Sequence, residues 1–518
     1  MPSRVHELTR FGWRGVLPAR VLDGVPGTVA WALMLASLLG VLLFPRTTMA
    51  VAALLAAYLS LRFTLATYAN LRGLRTIARW QAADWRVRYL TSPPDVLASA
   101  LPWDAPHHLV IIPNYNEPPD VLRRTLDRLS AGGCAGAMTV VLAMEAREPG
   151  AEEKARALQA AYGDHFARVL VTLHPDGLPG EMRCKSANEG WAVRAARQQI
   201  VEEYGVNPDH VVVTTMDADT LWHPRYFDAL TYHFATDPDR YRQFWQAPIR
   251  YHANIDRINP LMRLVNAYAT AFELAFLTAR WWMSLPMSSY SLSLRLLEAN
   301  DYWDGDVIAD EWHMFIKAYF NSGGVVRVQP IFLPFLASSP SGRTLTETIH
   351  LRYRQSLRHA WGSKELGYTL GRMLDAPHTP LLAGVRLLLR IVHDVVLPGA
   401  GWVYLMLATQ LPLLVHPALR AEILAAPFGS PWLVLLHVAL AFFFVMGLFV
   451  WLMDVRARPR HEQTQATTTP HEHLLVVTVG FVLMPLLTLL FVALPLLHAQ
   501  TRLLAGSDLT FHVTRKQP

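Results

Sequence analysis

Of the 518 residues 52% are hydrophobic, the mean hydropathy is positive and the formal net charge is +6. A chain of this kind is too long for one domain and too apolar for an ordinary soluble one. Its arginines crowd beside hydrophobic segments, which argues for a membrane surface with its lipids as partner and against nucleic acid. The two cysteines, Cys134 and Cys184, lack any CxxC or Cys/His spacing, so neither a disulfide framework nor a zinc site is expected.

In chain order, Arg4, Arg10, Arg14 and Arg20 precede an apolar run from Gly27 to Phe44, and a second run begins at Met49. No small-residue cleavage motif follows the first, so it is not read as a signal peptide. A helix crosses a bilayer in about 20 residues, and 27–44 and 49–69 are expected to form a tight transmembrane hairpin. Arg62 falls late in the second helix, where it snorkels or faces the bundle. Arg20 before the pair, and Arg72, Arg75 and Arg79 after it, place both ends in the cytoplasm.

Between about 71 and 380 no segment is long and apolar enough to span. Short apolar runs alternate with helical ones instead. Strands are expected at Leu109–Pro113, Thr139–Met144, Arg168–Leu173, 211–216 and Gln243–Ala247, and helices at Val121–Leu129, 151–163 and 186–203. Strand and helix in turn imply a parallel sheet covered on both faces. Past Pro380 the segment 382–396, with Arg386, Arg390, His393 and Asp394 among leucines and valines, suits a helix lying in the interface. The segments 399–416, 431–453 and 474–497 are long enough to cross. Arg456, Arg458 and Arg460 in the intervening connection, and Arg502, Arg515 and Lys516 in the tail, both claim the cytoplasmic side; Pro485 and Pro495 would let 474–497 lie obliquely.

The chain is organised around His210-Val-Val-Val-Thr-Thr-Met-Asp-Ala-Asp-Thr220. The β-branched run reads as a strand buried on both faces. It ends in Asp217 and Asp219, which extended backbone points the same way, past the carboxyl edge where open α/β sheets bind ligands. Two hard oxygens there suit Mg²⁺ or Mn²⁺ shared with a diphosphate, although a solvated turn would use the same residues. The first strand exits through Pro113-Asn-Tyr-Asn-Glu-Pro118, bringing Tyr115 and Glu117 to the same edge, and the second exits at Glu145. Lys185 and Asn188, near a helix N-terminus, could meet diphosphate or simply cap the helix.

A helix is expected from Asp310. Asp310 fits an N-cap, which leaves Glu311 as the better candidate base, without deciding between them; Trp312 and His313 read as packing. In Arg352-Tyr-Arg-Gln-Ser-Leu-Arg-His-Ala-Trp-Gly362, Gln355, Arg358 and Trp361 fall on one helical face. Arginine suits bidentate contact with diphosphate and tryptophan offers a stacking surface for a sugar. A basic helix on anionic lipid is the alternative.

The order Pro-x-Tyr-Asn-Glu, acidic strand end, Asp-Ala-Asp, paired acids, Gln-x-x-Arg resembles the membrane-embedded family 2 glycosyltransferases, among them cellulose, hyaluronan and chitin synthases. Phe511-His-Val-Thr-Arg-Lys516 is similar to the gating segment of cellulose synthases. The resemblance implies a GT-A-like nucleotide-sugar-binding α/β domain inserted between transmembrane α-helices. By it, Tyr115, Glu117, Glu145, Lys185 and Asp217 would hold the donor, Asp219 with Asp217 the metal, and Gln355 and Arg358 the diphosphate beside the acceptor. Phe511, Thr514 and Lys516 would gate the site. The family's Thr-Glu-Asp is here Ala309-Asp310-Glu311, which aligns the base with Glu311. Its Gln-x-x-Arg-Trp is Gln355-Ser-Leu-Arg-His359, so His359 or Trp361 would replace the stacking tryptophan.

The expected division is an N-terminal cytoplasmic segment with hairpin (1–70), an interface linker (71–104), a cytosolic catalytic domain (105–340), interface helices (341–396), C-terminal transmembrane helices (397–500) and a cytosolic tail (501–518). The expected activity is inverting transfer from a UDP-sugar to a β-linked glycan, exported as it grows. Single transfer to a lipid acceptor is the alternative. A transporter with a nucleotide-sensing domain would need polar spans, whereas these are mostly leucine, valine and alanine.

Overall fold

A computed structural model describes residues 18–376, 378–426, 428–458 and 470–507. Arg4, Arg10, Arg14, Arg460, Phe511, Thr514, Arg515 and Lys516 lie outside the described residues. The centre is a seven-stranded sheet of order β3-β2-β1-β4-β7-β5-β8. Its strands are β1 (His107–Asn114), β2 (Met138–Glu145), β3 (Arg168–His174), β4 (Val211–Thr215), β5 (Gln243–Gln246), β7 (Tyr290–Ser293) and β8 (Arg327–Pro330). All run parallel except β7, which is antiparallel to both β4 and β5. A small second sheet pairs β6 (Ile249–Arg250) with β9 (Phe335–Leu336).

Alternation along the strands assigns each side chain to one of two cores. Leu109, Ile111, Val141, Val211 and Val213 pack with Ala192, Val193 and Ala196 of the helix Lys185–Arg197. Val110, Ile112, Val140, Leu142 and Val212 face Leu122, Leu126, Leu158, Phe227 and Leu230 on the other side. With both faces covered, the central strands read as unbroken apolar runs. The chain moves outward from β1 to β3, then returns to β4 on the opposite side of β1. The order reverses between β1 and β4, which opens a crevice at the carboxyl ends of these two strands.

Among the described residues four helices are long and apolar enough to cross a membrane: Arg20–Leu43, Pro45–Ala82, Pro431–Ala457 and Thr478–Ala505. The second runs 38 residues, about 57 Å at 1.5 Å per residue. The span expected to end at 69 therefore continues as helix through Arg72, Arg75 and Arg79. The segment 399–416 is not among the four; its α-helix covers Trp402–Val415. It instead extends the helix Leu381–Val396 through the π turn Leu397–Gly401. Leu387, Ile391 and Val395 of that helix are buried against the sheet core, while Leu381, Leu382 and Leu389 are exposed. The segment 474–497 is helical throughout, with a π turn at Leu489–Ala493 between its two prolines.

The α/β part is locked to these helices. The helix Pro260–Thr278 enters the bundle, where Tyr268 and Phe443 both stack on Phe63 at ring distances of 5.8 and 4.7 Å. Gly367, on the helix Lys364–Asp375, lies so close to the backbone of Leu22 that a methyl group there would overlap the Leu22 carbonyl. Gly27 meets the carbonyl of Gln500 in the same way. Backbones approach this closely only where one partner has no side chain.

Candidate active site

The strand exits converge. One cavity of about 520 Å³ is lined by Tyr115 and Glu117 after β1, Glu145 at the end of β2 and Asp217 after β4. It is also lined by Lys185, Asn188, Asp310, Glu311, Arg358 and His359, and it extends to Phe491, Val492 and Leu496 at the π turn of the C-terminal candidate span. Residues separated by more than two hundred positions thus share one space.

The β1 exit turns tightly. Asn116 takes φ 58°, and its backbone N–H donates to Glu148 at 2.8 Å. Lys154 donates to the Glu117 carbonyl at 3.1 Å and pairs with Glu148. The turn is therefore held by buried ionic contacts, with Tyr115 beside it. Arg147, not anticipated from the sequence, lies 3.9 Å from the centre of the Tyr115 ring and pairs with Glu145. A guanidinium over an aromatic face is attractive and fixes the ring's orientation.

Lys185 is the first residue of its helix, and Cys184 occupies the cap position. Its Nζ donates to Ser288 O at 2.8 Å and stands 3.4 Å from Asp217 Oδ1 and 3.5 Å from Glu189 Oε1. Burial disfavours its charge, but Glu189 and Asp217 overcome that and raise its pKa. Glu189, fully buried and bonded to Thr215, is pushed up by burial to about 7. Asn188 is also fully buried and donates to the Ala143 carbonyl of β2 at 2.8 Å. That bond ties the helix to the sheet, in place of the capping that was one of the two roles open to Asn188, which also lines the cavity. Cys184 is buried, its thiol pushed up to about 12 by desolvation, so it is inert.

The helix Asp310–Asn321 begins at Asp310 itself, with Ala309 in the cap position and no side-chain cap. The expected N-cap role of Asp310 is thus corrected: its side chain is 3% exposed and lines the cavity beside Glu311. Burial raises both carboxyls, to about 7 at Asp310 and about 8 at Glu311. Asp310 pushes Glu311 further up, and Lys185 opposes the rise in both. A carboxyl pair raised by burial and like charge in a cavity is the environment in which a general base is found.

His313, one turn on, holds this helix in place. Its Nε2 is 3.0 Å from Asp304 Oδ2 and its Nδ1 is 3.0 Å from Glu365 Oε2. Both acceptors are carboxylates, so both ring nitrogens donate and the ring is cationic. Burial works against that charge, but Glu365 and Asp304 raise the pKa to about 9. Lys317 completes the group, 2.7 Å from Asp304. His313 is neither plain packing nor a ligand.

The helix Leu345–Ala360 presents Arg352, Ser356, Arg358 and His359 to the cavity. His359 is accessible from the lumen yet deep within the molecule; desolvation, then Arg358 and Arg352, hold its ring neutral at about 3. Gln355 does not line the cavity; it accepts from Arg352 at 2.8 Å. Trp361, beyond the helix end, is 4% exposed and packs with Ala360, Ala499 and Leu503. Unlike Arg358 it does not line the cavity, so its expected place beside the sugar is corrected: Ala499 and Leu503 of the C-terminal candidate span pack against it instead. Asp219 is buried just off the cavity lining, two residues beyond Asp217. Among the described residues no group of three or more His, Cys, Asp or Glu could hold a metal. Sequence reasoning also passed over Tyr251 and Glu273, although Glu273 is conspicuous as a lone acid in Ala271-Phe-Glu-Leu-Ala-Phe276.

Two family models match the chain: "Glycosyltransferase like family 2" over residues 106–288 and "Glycosyl transferase family group 2" over 212–446. No curated protein matches. Among solved structures, a mannosyltransferase from Pyrobaculum calidifontis in complex with GDP-Man and Mn²⁺ is 18% identical, covering 82% of this chain and 99% of its own, at a TM-score of 0.40. A mycobacterial protein is 14% identical over 56% of this chain and 81% of its own, at a TM-score of 0.31. Both scores are too low to carry a detail of one molecule to the other.

Proposed function

The chain belongs to the family 2 glycosyltransferases, an α/β GT-A-like enzyme using a nucleotide-sugar donor and flanked by four candidate spans, and on that premise we propose that it transfers sugar from UDP, with inversion, to a β-linked glycan that grows against its membrane helices. The observation that carries this reading is the single cavity running from the acidic strand exits, past Asp310 and Glu311, to Phe491, Val492 and Leu496. In this reading the nucleobase stacks on Tyr115, and Glu117 and Glu145 accept hydrogen bonds from the nucleoside. Lys185 and Arg358 face the diphosphate. The domain holding these groups faces the cytoplasm, where nucleotide sugars are available.

The acceptor hydroxyl oxygen attacks the anomeric carbon on the face opposite the diphosphate. Its proton passes to Glu311, with Asp310 as the alternative base. The bond from the anomeric carbon to the diphosphate oxygen breaks, and its electron pair leaves with UDP. Arg358 and Lys185 stabilise the charge that develops there. Asp217 and Asp219 would hold Mg²⁺ or Mn²⁺, whose charge would further neutralise the diphosphate. Two carboxylates suffice, since such ions take their remaining ligands from phosphate and water. Lys185 already shares Asp217, which leaves Asp219 as the main protein ligand.

The apolar end of the cavity also favours a second reading, single transfer to a lipid acceptor. Membranes containing the protein, incubated with labelled UDP-glucose, UDP-N-acetylglucosamine, UDP-galactose or GDP-mannose, with and without Mn²⁺, test both. An insoluble polymer supports the first; a product soluble in chloroform/methanol and one sugar long supports the second. Release of no nucleotide from any donor would refute both.

A further inference from the structure

The outer face of the helix Pro45–Ala82 changes character along its length. Leu54, Tyr58, Leu61, Leu65 and Tyr68 are exposed, and beyond them so are Arg72, Arg75 and Arg79. At about 100° per residue all eight fall within an arc of about 100°, so they form one continuous stripe. The opposite side is occupied: Ala69, Gly73 and Ile77 are buried, and Gly73 lies against Leu274 and Thr278. From Pro45 to Tyr68 the axis covers about 35 Å, the thickness of a hydrocarbon core crossed at a modest tilt. The α/β domain takes hold only at Trp80, which packs on His233 and Phe332. The three arginines fill the interval of about 18 Å between Tyr68 and Trp80.

The helix contains no Asp or Glu, and among the described residues none of the three arginines is paired with a carboxylate. Their guanidinium groups reach back toward Tyr68. Arg72 Cζ stands 6.0 Å from the centre of the Tyr68 ring, and Arg79 donates to Arg75 O at 3.4 Å and Thr76 Oγ1 at 3.3 Å. The neighbouring helix marks the same level. Its Ala275 and Ala279 pack with Ala66 and Ala69, and the next two residues, Arg280 and Trp281, are exposed. An exposed tryptophan and tyrosine at one height, with arginines just beyond, is the pattern of a membrane–water boundary.

We propose that Arg72, Arg75 and Arg79, with Arg280 beside them, bind the phosphate groups of anionic phospholipids in the leaflet nearest the α/β domain. A zwitterionic headgroup brings its own cation and leaves the charge of this stripe unbalanced, whereas an anionic one balances it. Arginine also holds phosphate through two parallel hydrogen bonds. The unbroken join to exposed leucine and tyrosine favours a lipid over a soluble polyanion, which has no use for the apolar half of the stripe. The inference needs the helix to lie in a bilayer and is independent of the reaction catalysed.

The test uses the full chain reconstituted in phosphatidylcholine, with spin-labelled phosphatidylglycerol or spin-labelled phosphatidylcholine as the probe. Electron paramagnetic resonance reads the fraction of each that the protein immobilises. The wild type should favour phosphatidylglycerol at least about threefold, and the preference should shrink in about 1 M NaCl, where charge is screened beyond about 3 Å. Arg72→Gln/Arg75→Gln/Arg79→Gln should bring the ratio close to one, with Arg75→Gln alone in between and sufficient where the triple variant does not fold. None of these residues lines the cavity, so the thermal midpoint and the affinity for UDP should stay at their wild-type values. A wild type without preference, or a triple variant that keeps it, would overturn the proposal. So would a protein that immobilises neither lipid, since the stripe would then not lie in a bilayer.

Discussion

Replacing Glu311 by glutamine keeps the shape of the side chain and removes its capacity to accept a proton. A positioned general base contributes roughly 10²–10⁴-fold, about 2.7–5.5 kcal/mol at 1.36 kcal/mol per decade. With its carboxyl near 8, only about a tenth of the protein carries an ionised Glu311 at pH 7 by simple titration. The wild-type rate should therefore climb with pH through about 7 to 8 and level off above. Asp310 is part of the reason that Glu311 titrates so high. Asp310→Asn should accordingly shift the rising limb to lower pH and cost less than tenfold at its optimum, while Glu311→Gln should lose at least 100-fold and the limb with it. The assay is the initial rate of UDP release between pH 5.5 and 9.5, with UDP affinity measured in parallel. A Glu311→Gln enzyme within threefold of wild type, or the severe loss falling on Asp310→Asn instead, would refute the assignment of the base.

Three further outcomes follow from the same contacts. His313→Ala leaves Asp304 and Glu365 buried with one cation fewer, and breaking such a pair costs about 3–5 kcal/mol; the midpoint of thermal inactivation should fall, with UDP affinity retained. Burial holds the carboxyls of Asp310 and Glu311 above their unfolded values, so their protons stabilise the fold below about pH 4, and that contribution is lost as pH rises through 7 to 8. Asp310→Asn cannot ionise, so its thermal midpoint should fall less than wild type between pH 6 and 9. Chelation with EDTA should abolish transfer and Mn²⁺ or Mg²⁺ restore it, with Asp219→Ala needing a higher Mn²⁺ concentration for half-maximal rate.

The parallel strands were readable because burial on both faces demands uninterrupted runs such as Val211-Val-Val-Thr-Thr215. The antiparallel β7 was not, because Tyr290-Ser-Leu-Ser293 is four residues long and half of it is serine. Those serines are buried; Ser291 bonds Thr214 and Tyr226, and Ser293 caps the following turn. The helix beginning at Asp310 was foreseen to within one residue, yet that residue decides whether Asp310 caps the helix or faces the cavity. For Trp361 the missing information was tertiary: helical spacing gives the face but not what packs on it, and Ala499 and Leu503 pack against the residue. Glu273 and Tyr251 lie on segments with no motif, and only tertiary packing brings them to Arg352.

The contact at Gly367 ties the first candidate span to the candidate site without a joint. The first candidate span touches Gly367 backbone to backbone; two residues earlier Glu365 grips His313, and two residues before His313 stands Glu311. No loop intervenes to absorb a tilt. If the first candidate span lies in a bilayer and Glu311 is the base, as proposed, a thinner or thicker bilayer that leans this helix would be felt at the Glu311 carboxyl, and turnover in vesicles of graded acyl length would gauge how stiffly the two are coupled.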